Sequence, residues 1–290
     1  MTIEVRPLHT IEEIRAAVSL QKAVLGDHSR AVWTASQLLH IQQSGGLLLG
    51  AYDPSAPGPP AIHGILVDLV ALVDRYPSRR TVAWGVLPQL VNRGIGFSLR
   101  SAERRAHQGH GVDLVYWDVD PLQSNGLHIA LNRLGGIATA YRQEAFGGAD
   151  DGSSSGLATD RLRIEWWIDS PRVVALLDRH VPLPHHRVGL NEMTVLTKTR
   201  ILQSGVRAPI DGAKTPSTSY VLVEIPEALD DLQVRDYEAA IQWRLQTREV
   251  LRELFDLEYL SVGLVHEGGR SFLLFKKGSR RTELQASDLH

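Results

Sequence analysis

Apolar and polar positions alternate along the first 168 residues in a pattern that predicts short strands separated by helices. Strands are predicted where apolar and β-branched residues cluster between turn residues, at residues 3–6, 47–52, 62–73, 81–87, 112–119, 137–145 and 161–168. Apolar residues recur at helical spacing over residues 94–108 and 122–134. The polar run RYPSRR, residues 75–80, is predicted to be a turn between two strands. Together these elements predict a mixed α/β (α+β) domain.

Two sequence signatures mark helix starts near the N-terminus. Thr10 stands three residues before Glu13, and Thr34 stands three residues before Gln37. At this spacing the threonine hydroxyl accepts a hydrogen bond from the third helical N–H, and the glutamate or glutamine accepts one from the threonine N–H. We therefore predict capped helices that begin after Thr10 and Thr34.

The second part of the chain is predicted to form a smaller α/β domain over residues 169–278. A helix is expected at residues 171–180, strands at 193–197, 219–225, 260–265 and 271–275, and a long helix at 234–255. The buried stripe of the long helix is predicted to hold its large apolar residues, Tyr237, Ile241, Leu245, Leu251 and Phe255. The order strand, long helix, strand, strand repeats that of the first part, so one interpretation is a degenerate second copy. Residues 279–290 are expected to form a disordered tail.

Composition narrows the classes of function. The net charge is −2, so the chain lacks the basic surface typical of a nucleic-acid-binding protein. It contains no cysteine, which excludes disulfides, thiolate nucleophiles and cysteine-ligated zinc. The N-terminus has no signal-peptide pattern, and the longest apolar segment, residues 62–73, is too short to cross a bilayer. We expect a cytoplasmic protein without nucleic-acid or membrane partners.

The segment that carries most chemical information is VAWGVLPQLVNRGIGFSLRSAERRA, residues 82–106. A strand ends near Pro88, a short loop follows, and a helix begins at Gly94 and Gly96. Such a turn directs free backbone N–H groups and the positive end of a helix dipole to one point, which makes an anion site. Glycines there let a diphosphate approach the backbone, because no side chain intervenes. The alternative is an ordinary strand–turn–helix connection with incidental glycines.

This segment resembles the acetyl-CoA diphosphate loop of the GNAT superfamily, whose pattern is Arg/Gln-x-x-Gly-x-Gly/Ala between a strand and a helix. Residues 116–147 and 156–167, together with 243–259, resemble a branch of predicted GNAT acetyltransferases with an extra C-terminal portion. The Arg/Gln position of the loop is Val91 here, which removes a phosphate-facing side chain but leaves the backbone donors.

The resemblance implies a splayed, mixed β-sheet flanked by helices, forming a GNAT-type acyl-CoA-binding domain over residues 1–168. It implies acetyl-CoA or another acyl-CoA as co-substrate, held where the fourth and fifth strands part, with the thioester near the end of residues 116–120. The implied reaction moves the acyl group to an amine of a small-molecule metabolite, and a homodimer is a further expectation. The residues implied to bind the cofactor are Val86, Leu87, Asn92, Arg93, Gly94, Ile95, Gly96, Phe97 and Ser98.

Direct acyl transfer uses a general base and a general acid, and four side chains are candidates: Asp120, His128, Tyr141 and Glu165. Each also has a structural interpretation. Asp120 precedes Pro121 and suits an Asx-turn that caps the next helix. His128 fits a partly exposed helix histidine. Tyr141 fits a half-buried strand tyrosine, and Glu165 fits a glutamate on the solvated face of a strand.

Two further sets of polar side chains have structural alternatives. Three arginines of the predicted helix at residues 94–108 are expected to face either solvent or the CoA 3′-phosphate: Arg100, Arg104 and Arg105. No metal site is expected in the run HVPLPHH, because its prolines impose an irregular loop and no carboxylate lies within it. Its histidines are His180, His185 and His186.

Two alternatives to acyl transfer stay open on the sequence. Val91 suits a GNAT-like protein that binds an acyl-CoA or another ligand without transferring its acyl group. The same fold is also compatible with a different reaction, such as decarboxylation of a malonyl thioester.

Overall fold

The computed structural model describes residues 2–27, 29, 31–55, 61–146, 156–183, 193–210 and 212–285. The described residues fall into two compact units, one extending to Trp117 and the other beginning at Asp118. Within the described ranges, no helix is both long and apolar enough to span a membrane.

The first unit contains five strands and three helices within its described residues. Its strands are β1 (Glu4–Pro7), β2 (Leu47–Tyr52), β3 (Ile62–Val73), β4 (Tyr76–Val86) and β5 (Leu114–Val119), the last of which continues into the second unit. Its helices are α1 (Ile11–Leu25), α2 (Ala35–Gln43) and α3 (Ile95–His107), and a 3₁₀ turn spans Pro88–Leu90. The strands are ordered β1-β2-β3-β4-β5, with β4 and β5 parallel and the other neighbours antiparallel.

Both predicted helix starts are confirmed. Thr10 and Glu13 form a complete capping box at α1, and Thr34 and Gln37 form one at α2. Both helices contribute to one core cluster, while α3 contributes to a second. The two clusters use opposite faces of β3, because successive side chains of a strand point to opposite sides. Ile65 belongs to the first cluster and its neighbour Leu66 to the second.

The connection between β3 and β4 differs from the prediction. Residues 76–80, expected to be a turn, belong to β4, and the turn consists of Asp74 and Arg75. Both turn residues have positive φ, 49° and 71°. This conformation suits a two-residue hairpin, because its twist matches that of the flanking strands. The turn was not predicted because only Asp74 is a residue that such turns favour, while Arg75 stands where glycine is usual.

β4 and β5 pair over only a short stretch within the described residues, from Ser78 to Arg80 of β4. Just beyond this stretch, Val82 is an extra residue of β4 relative to β3. A bulge bends its strand and increases the local twist. The second half of β4 therefore stays paired with β3 while its pairing with β5 ends.

The second unit is built mainly on antiparallel strands. Its strands are β6 (Ile137–Arg142), β7 (Arg161–Trp167), β8 (Thr194–Val195), β9 (Lys198–Ile201), β10 (Arg207–Ile210), β11 (Tyr220–Ile225), β12 (Tyr259–Glu267) and β13 (Arg270–Lys277). Its helices are α4 (Ser124–Leu127), α5 (Pro171–Leu177), α6 (Leu229–Arg235), α7 (Tyr237–Asp256) and α8 (Arg280–Leu284). Six strands are ordered β7-β6-β12-β13-β11-β8, and β9 pairs with β10.

This unit contains elements from both sides of residue 168, where the sequence predicts a domain boundary. β12 pairs with β6 at Ser261 and Ala138, which joins the C-terminal strands to those that precede residue 168. The C-terminal order strand, long helix, strand, strand is present, but its first strand pairs with its last, β11 with β13, whereas in the first part β1 pairs with β2. Element order is therefore shared between the two parts, while strand pairing is not.

The buried face of α7 differs from the predicted stripe. Of the five residues expected to be buried, only Leu251 is, whereas Tyr237 and Leu245 are 42% and 51% exposed. The buried face instead holds Ala240, Trp243, Arg244, Thr247, Leu251 and Leu254. The error arose because the prediction counted large apolar residues, while small and amphipathic side chains occupy this interface.

Two predicted helices and the predicted disordered tail differ from the structure. The helix predicted from residue 234 begins at Tyr237, because Asp236 caps it by accepting from the N–H of Ala239. The helix predicted over residues 122–134 is α4 followed by a π-helical segment, His128–Arg133. The predicted disordered tail from residue 279 contains α8, and residues 286–290 lie outside the described residues.

One buried arginine connects α5 to its surroundings. Arg172 Nε donates to the carbonyl of Gly135 at 2.9 Å, and Nη2 donates to that of Val262 at 2.8 Å. Arg172 Nη1 lies 3.8 Å from Oε2 of Glu283 in α8. Burial lowers the pKa of Arg172 to about 10, so the guanidinium remains charged at neutral pH.

We expect Arg172→Met to lower the free energy of unfolding by about 3 kcal/mol, because two buried carbonyls lose their donor and a buried carboxylate loses a cation. Urea unfolding measures the change. Arg179→Met is the matched control, since Arg179 is exposed just beyond the same helix and should change stability by less than about 0.5 kcal/mol. Similar losses in both variants would contradict the role assigned to Arg172.

A second prediction concerns the cap of α1. Burial raises the pKa of Glu13, but hydrogen bonds from the N–H groups of His9 and Thr10 and from Arg6 outweigh it and lower the pKa to about 2. A carboxylate with a depressed folded-state pKa stabilises the fold above its ordinary pKa of 4.5, and this contribution is lost as pH falls toward 2.

We therefore expect Glu13→Gln to remove about 1 kcal/mol at pH 7, a value reduced for partial solvent screening, and to lose less stability than wild type between pH 4.5 and 2. Urea unfolding across this pH range is the measurement. Glu12→Gln, at the exposed neighbouring position, should leave the profile unchanged, and identical profiles for wild type and Glu13→Gln would refute the prediction.

Candidate functional site

The loop before α3 has the backbone conformation expected of an anion site. After the 3₁₀ turn, Asn92 and Gly94 adopt positive φ values of 65° and 81°. Gly94 is the N-cap of α3, and no side chain caps this helix start. Asn92, Arg93 and Gly94 are exposed, so the loop is open to solvent.

The first amides of α3 are the donors that such a site requires. The first intrahelical backbone bond runs from Ser98 N–H to the Gly94 carbonyl at 3.0 Å. The N–H groups of Ile95 and Gly96 precede that bond, and the first N–H groups of a helix have no acceptor within it. The α3 dipole adds partial positive charge at the same end. The corner can therefore bind a phosphate group through its backbone.

The two glycines have different roles. Gly94 has nothing within 4 Å of where a Cβ would be, and its positive φ explains why glycine suits the position. A Cβ on Gly96 would lie 3.2 Å from Cζ2 of Trp84. Gly96 thus also allows α3 to pack closely on β4, and its role in phosphate approach stays a prediction.

The edge of β4 that parts from β5 presents unpaired backbone groups. Leu87 N–H donates to the His63 carbonyl at 3.0 Å, which makes these two residues a hydrogen-bonded pair with β3. Because the hydrogen-bonding direction alternates along an antiparallel pair, the N–H and C=O of Val86 point to the opposite edge. Two residues here are predicted to meet the cofactor. Val86, the last residue of β4, has both backbone groups at the edge away from β3, whereas the N–H of the following Leu87 is already used.

Arg100 lies where β4 and β5 part. Its Nη1 donates to Thr81 Oγ1 at 2.7 Å and to Glu103 Oε2 at 2.8 Å. Its guanidinium carbon lies 4.4 Å and 3.8 Å from the ring centroids of Trp84 and Trp117. Burial lowers the pKa of Arg100 and raises that of Glu103. The side chain is a buried cation between two indole rings, worth roughly 2 kcal/mol of cation–π attraction when desolvated.

The expected orientation of the α3 arginines is therefore wrong in part. Arg100 and Arg104 are buried and face neither solvent nor a 3′-phosphate, whereas Arg105 is exposed. The sequence assigned them to the polar face because arginine is rarely fully buried. The tryptophans of β4 and β5 could have indicated otherwise, since guanidinium groups stack on aromatic rings.

The predicted catalytic side chains all lie in the second unit, and Asp120 is held by several groups. Its Oδ1 accepts from the N–H of Leu122 at 2.9 Å, the Asx-turn of the structural interpretation. Its Oδ2 accepts from Arg244 Nη2 at 2.6 Å and from Arg161 Nη1 at 3.4 Å. These partners occupy both oxygens and favour the structural role.

Tyr141 belongs to a similar cluster. Its hydroxyl donates to Asp160, whose carboxylate also binds Arg248 at 2.9 Å through both Nε and Nη2. Burial and the hydrogen bond to Asp160 raise the pKa of Tyr141. A phenol with a raised pKa is a weaker proton donor, which disfavours Tyr141 as a general acid near neutral pH.

Glu165 is 1% exposed and has several partners. It accepts from Thr139 Oγ1 at 3.0 Å and Trp167 Nε1 at 3.1 Å, and Arg280 Nε lies 2.9 Å away. The solvated strand position of the structural interpretation is therefore wrong, and the carboxylate is buried in a network.

His128 is half-buried in the π-helical segment. Its ring centroid lies 5.9 Å from that of His266, whose Nδ1 is 2.9 Å from Ser271 Oγ. Its Nδ1 lies 3.4 Å from Nδ2 of Asn132. The assignment of His128 as a catalytic base stays a prediction.

The arginines that hold these carboxylates were not predicted from the sequence. Arg244 and Arg248 are four residues apart on α7 and bind Asp120 and Asp160 respectively. Their spacing places them on one helix face, which was the available signal. No group of three or more potential metal ligands occurs within the described residues. His185 and His186 lie outside them.

No family model matches the chain, and neither does any curated protein. Solved structures resemble part of it. The ribosomal-protein-S18-alanine N-acetyltransferase of Escherichia coli is 15% identical, with 58% of this chain and 94% of that chain covered and a TM-score of 0.44. The NAA60 of Arabidopsis thaliana in complex with acetyl-CoA is 14% identical, with 58% and 99% covered and a TM-score of 0.49.

The PaiA N-acetyltransferase of Thermoplasma acidophilum in complex with coenzyme A is 17% identical, with 57% of this chain and 98% of that chain covered and a TM-score of 0.38. These identities and scores are too low to carry an inference about activity. The parallel pairing and parting of β4 and β5, the bulge at Val82 and the glycine start of α3 are features of the chain itself. They give it the α+β fold that its sequence predicts, with a mixed β-sheet flanked by helices.

Proposed function

We propose that this chain binds an acyl-CoA and transfers its acyl group to an amine of a small molecule. The observation that carries the proposal is the uncapped start of α3 beside the free edge of β4. The two features offer an anion site and a row of backbone donors and acceptors. An acyl-CoA has complementary groups, a diphosphate followed by a pantetheine arm with two amides.

The residues present fit such a ligand. The amides of Ile95 and Gly96 are donors for the diphosphate, and the αL conformation of Gly94 leaves their approach open. The N–H and C=O of Val86 are placed to pair with a pantetheine amide as an added strand would. Val91 is 49% exposed and contributes no charge, so the backbone alone supplies the donors at this position.

The bound thioester supplies an activated acyl group. In the transfer, the amine nitrogen forms a bond to the thioester carbon, and the carbon–sulfur bond breaks. The proton lost by the amine is balanced by the proton gained by the leaving thiolate. Holding the thioester along β4 contributes by proximity and orientation. A small-molecule amine as the acceptor and a homodimeric assembly stay predictions.

A second candidate function is acyl-CoA binding without transfer. It is favoured by the ion pairs and hydrogen bonds that occupy Asp120, Tyr141 and Glu165, three of the four predicted catalytic side chains. Binding at α3 is common to both candidates, so one experiment must separate binding from turnover.

Calorimetric titration with CoA and acetyl-CoA is the first test, with heat of binding expected for both. The second is release of free thiol from acetyl-CoA in the presence of a panel of small amines, expected to depend on the amine. Binding without amine-dependent thiol release would leave the non-catalytic candidate, and carbon dioxide released from malonyl-CoA would indicate decarboxylation. Absence of heat with every CoA species would refute both proposed functions.

A gain-of-affinity variant tests the location of the site. Val91→Arg should tighten CoA binding by roughly tenfold, because a guanidinium next to the diphosphate adds a charge-assisted hydrogen bond. Val70→Arg is the control, because this substitution adds the same charge away from the loop. Val70 lies in β3 and is 59% exposed. Equal affinity of the two variants would place the diphosphate elsewhere.

A further inference from the structure

The second unit contains a cavity of about 190 Å³ that no feature of acyl transfer explains. It lies at the C-terminal end of β11, between the loop that leads into α6 and the start of β10, and it reaches the turn before β13. Ligand sites for drug-sized molecules occupy about 300–1,000 Å³. A cavity of this size suits a smaller molecule.

The inner wall of the cavity is cationic. Glu224 is 1% exposed and accepts two hydrogen bonds from Arg270, from Nε at 2.8 Å and Nη2 at 2.5 Å. Arg207 Nε lies 3.6 Å from the same carboxylate. One buried carboxylate therefore holds two guanidinium groups side by side, which leaves one positive charge in excess.

Both arginines keep donors for another partner. Arg207 Nη1 donates to Thr199 Oγ1 at 3.0 Å, but its Nη2 and the Nη1 of Arg270 have no acceptor among the described residues. Their side chains are 37% and 35% exposed. The hydrogen bonds to Glu224 raise the pKa of Arg270, so its charge is firmly held. Two adjacent guanidinium groups are well suited to a carboxylate.

The remaining surfaces are an apolar floor and an acidic rim. Trp243 is 1% exposed and is fixed by its indole N–H, which donates to the Arg207 carbonyl at 2.9 Å. Leu232 is buried beside it in the lining. Glu227, Asp231 and Arg235 line the cavity from exposed positions. Arg235 Nη1 donates to Asp231 Oδ2 at 3.3 Å, so these two charges offset each other and Glu227 supplies the negative charge of the rim. The floor accommodates a carbon skeleton, and the rim attracts a cation.

We infer that this cavity binds a small α-amino acid, with its carboxylate on Arg207 and Arg270 and its ammonium group towards Glu227. The excess positive charge is inside and the Glu227 carboxylate is at the rim, so a ligand with both charges gains at both ends. An anion without an amine meets the same inner wall but is repelled by the rim. The inference is independent of acyl-CoA binding.

The test uses the full-length protein and the twenty common L-amino acids, each titrated by ligand-observed NMR. The best amino acid is then compared with its deaminated acid, its decarboxylated amine and inorganic phosphate. We expect the amino acid to bind at least tenfold more tightly than any of the three. Absence of binding by every amino acid, or equal binding of the acid or of phosphate, would overturn the inference.

Two variants locate the site. Arg207→Gln keeps the pair between Glu224 and Arg270 and should weaken amino-acid binding at least tenfold, while Arg200→Gln, exposed on the neighbouring strand β9, should leave it unchanged. Glu227→Gln, at the exposed rim, should weaken the amino acid but not its deaminated acid. Thermal melts establish that each variant is folded, and unchanged affinity in folded Arg207→Gln or Glu227→Gln would refute the assignment.

Discussion

Backbone N–H and C=O groups need hydrogen-bond partners wherever water is excluded, and among the described residues the second half of β4 pairs with a strand on one side only. Its pairing with β3 extends along the strand, from Val73 opposite Tyr76 to Gly64 opposite Val86. Its pairing with β5 ends at Arg80 within the described residues. The bulge at Val82 turns the strand at that point. The edge beyond it has no strand partner among the described residues, and the loop to the start of α3 follows its far end.

Packing around α3 stabilises this arrangement. His107 Nε2 lies 2.6 Å from Oδ2 of the buried Asp68, which ties the C-terminal end of the helix to β3. At the other end, Gly96 contacts the ring of Trp84. Arg100 fills the space between Trp84 and Trp117. The helix start is thus positioned by buried contacts on rigid elements, although the loop itself is exposed.

Local signals explain how much could be predicted. The capping boxes at Thr10 and Thr34 and the glycine start of α3 depend on residues close in sequence, and each was found where expected. The α+β class and most strands followed from periodicity in the same way. The turn at Asp74 was missed because its conformation is imposed by the pairing of β3 with β4 rather than by residue preference.

The roles of charged side chains were harder to predict, because they depend on partners distant in the chain. Asp120 meets Arg244, Asp160 meets Arg248, and Glu224 meets Arg270. From the sequence alone, such a carboxylate is interpreted as a possible catalytic group or as a surface residue. The arginine that pairs with it is identified only from the fold. Each pair has one buried member, and removing its partner is costly because the buried charge then remains desolvated. These pairs therefore constrain the second unit.

The contact between Gly96 and Trp84 has an optical consequence. Trp84 is half-buried, its ring lies against the helix start on one side, and the Arg100 cation lies over it. Indole emission responds to nearby charge and to water. A diphosphate at the first amides of α3, or an amide along β4, would change both around this ring. The chain thereby carries an intrinsic fluorescent reporter of occupancy at the corner where its ligand is proposed to bind.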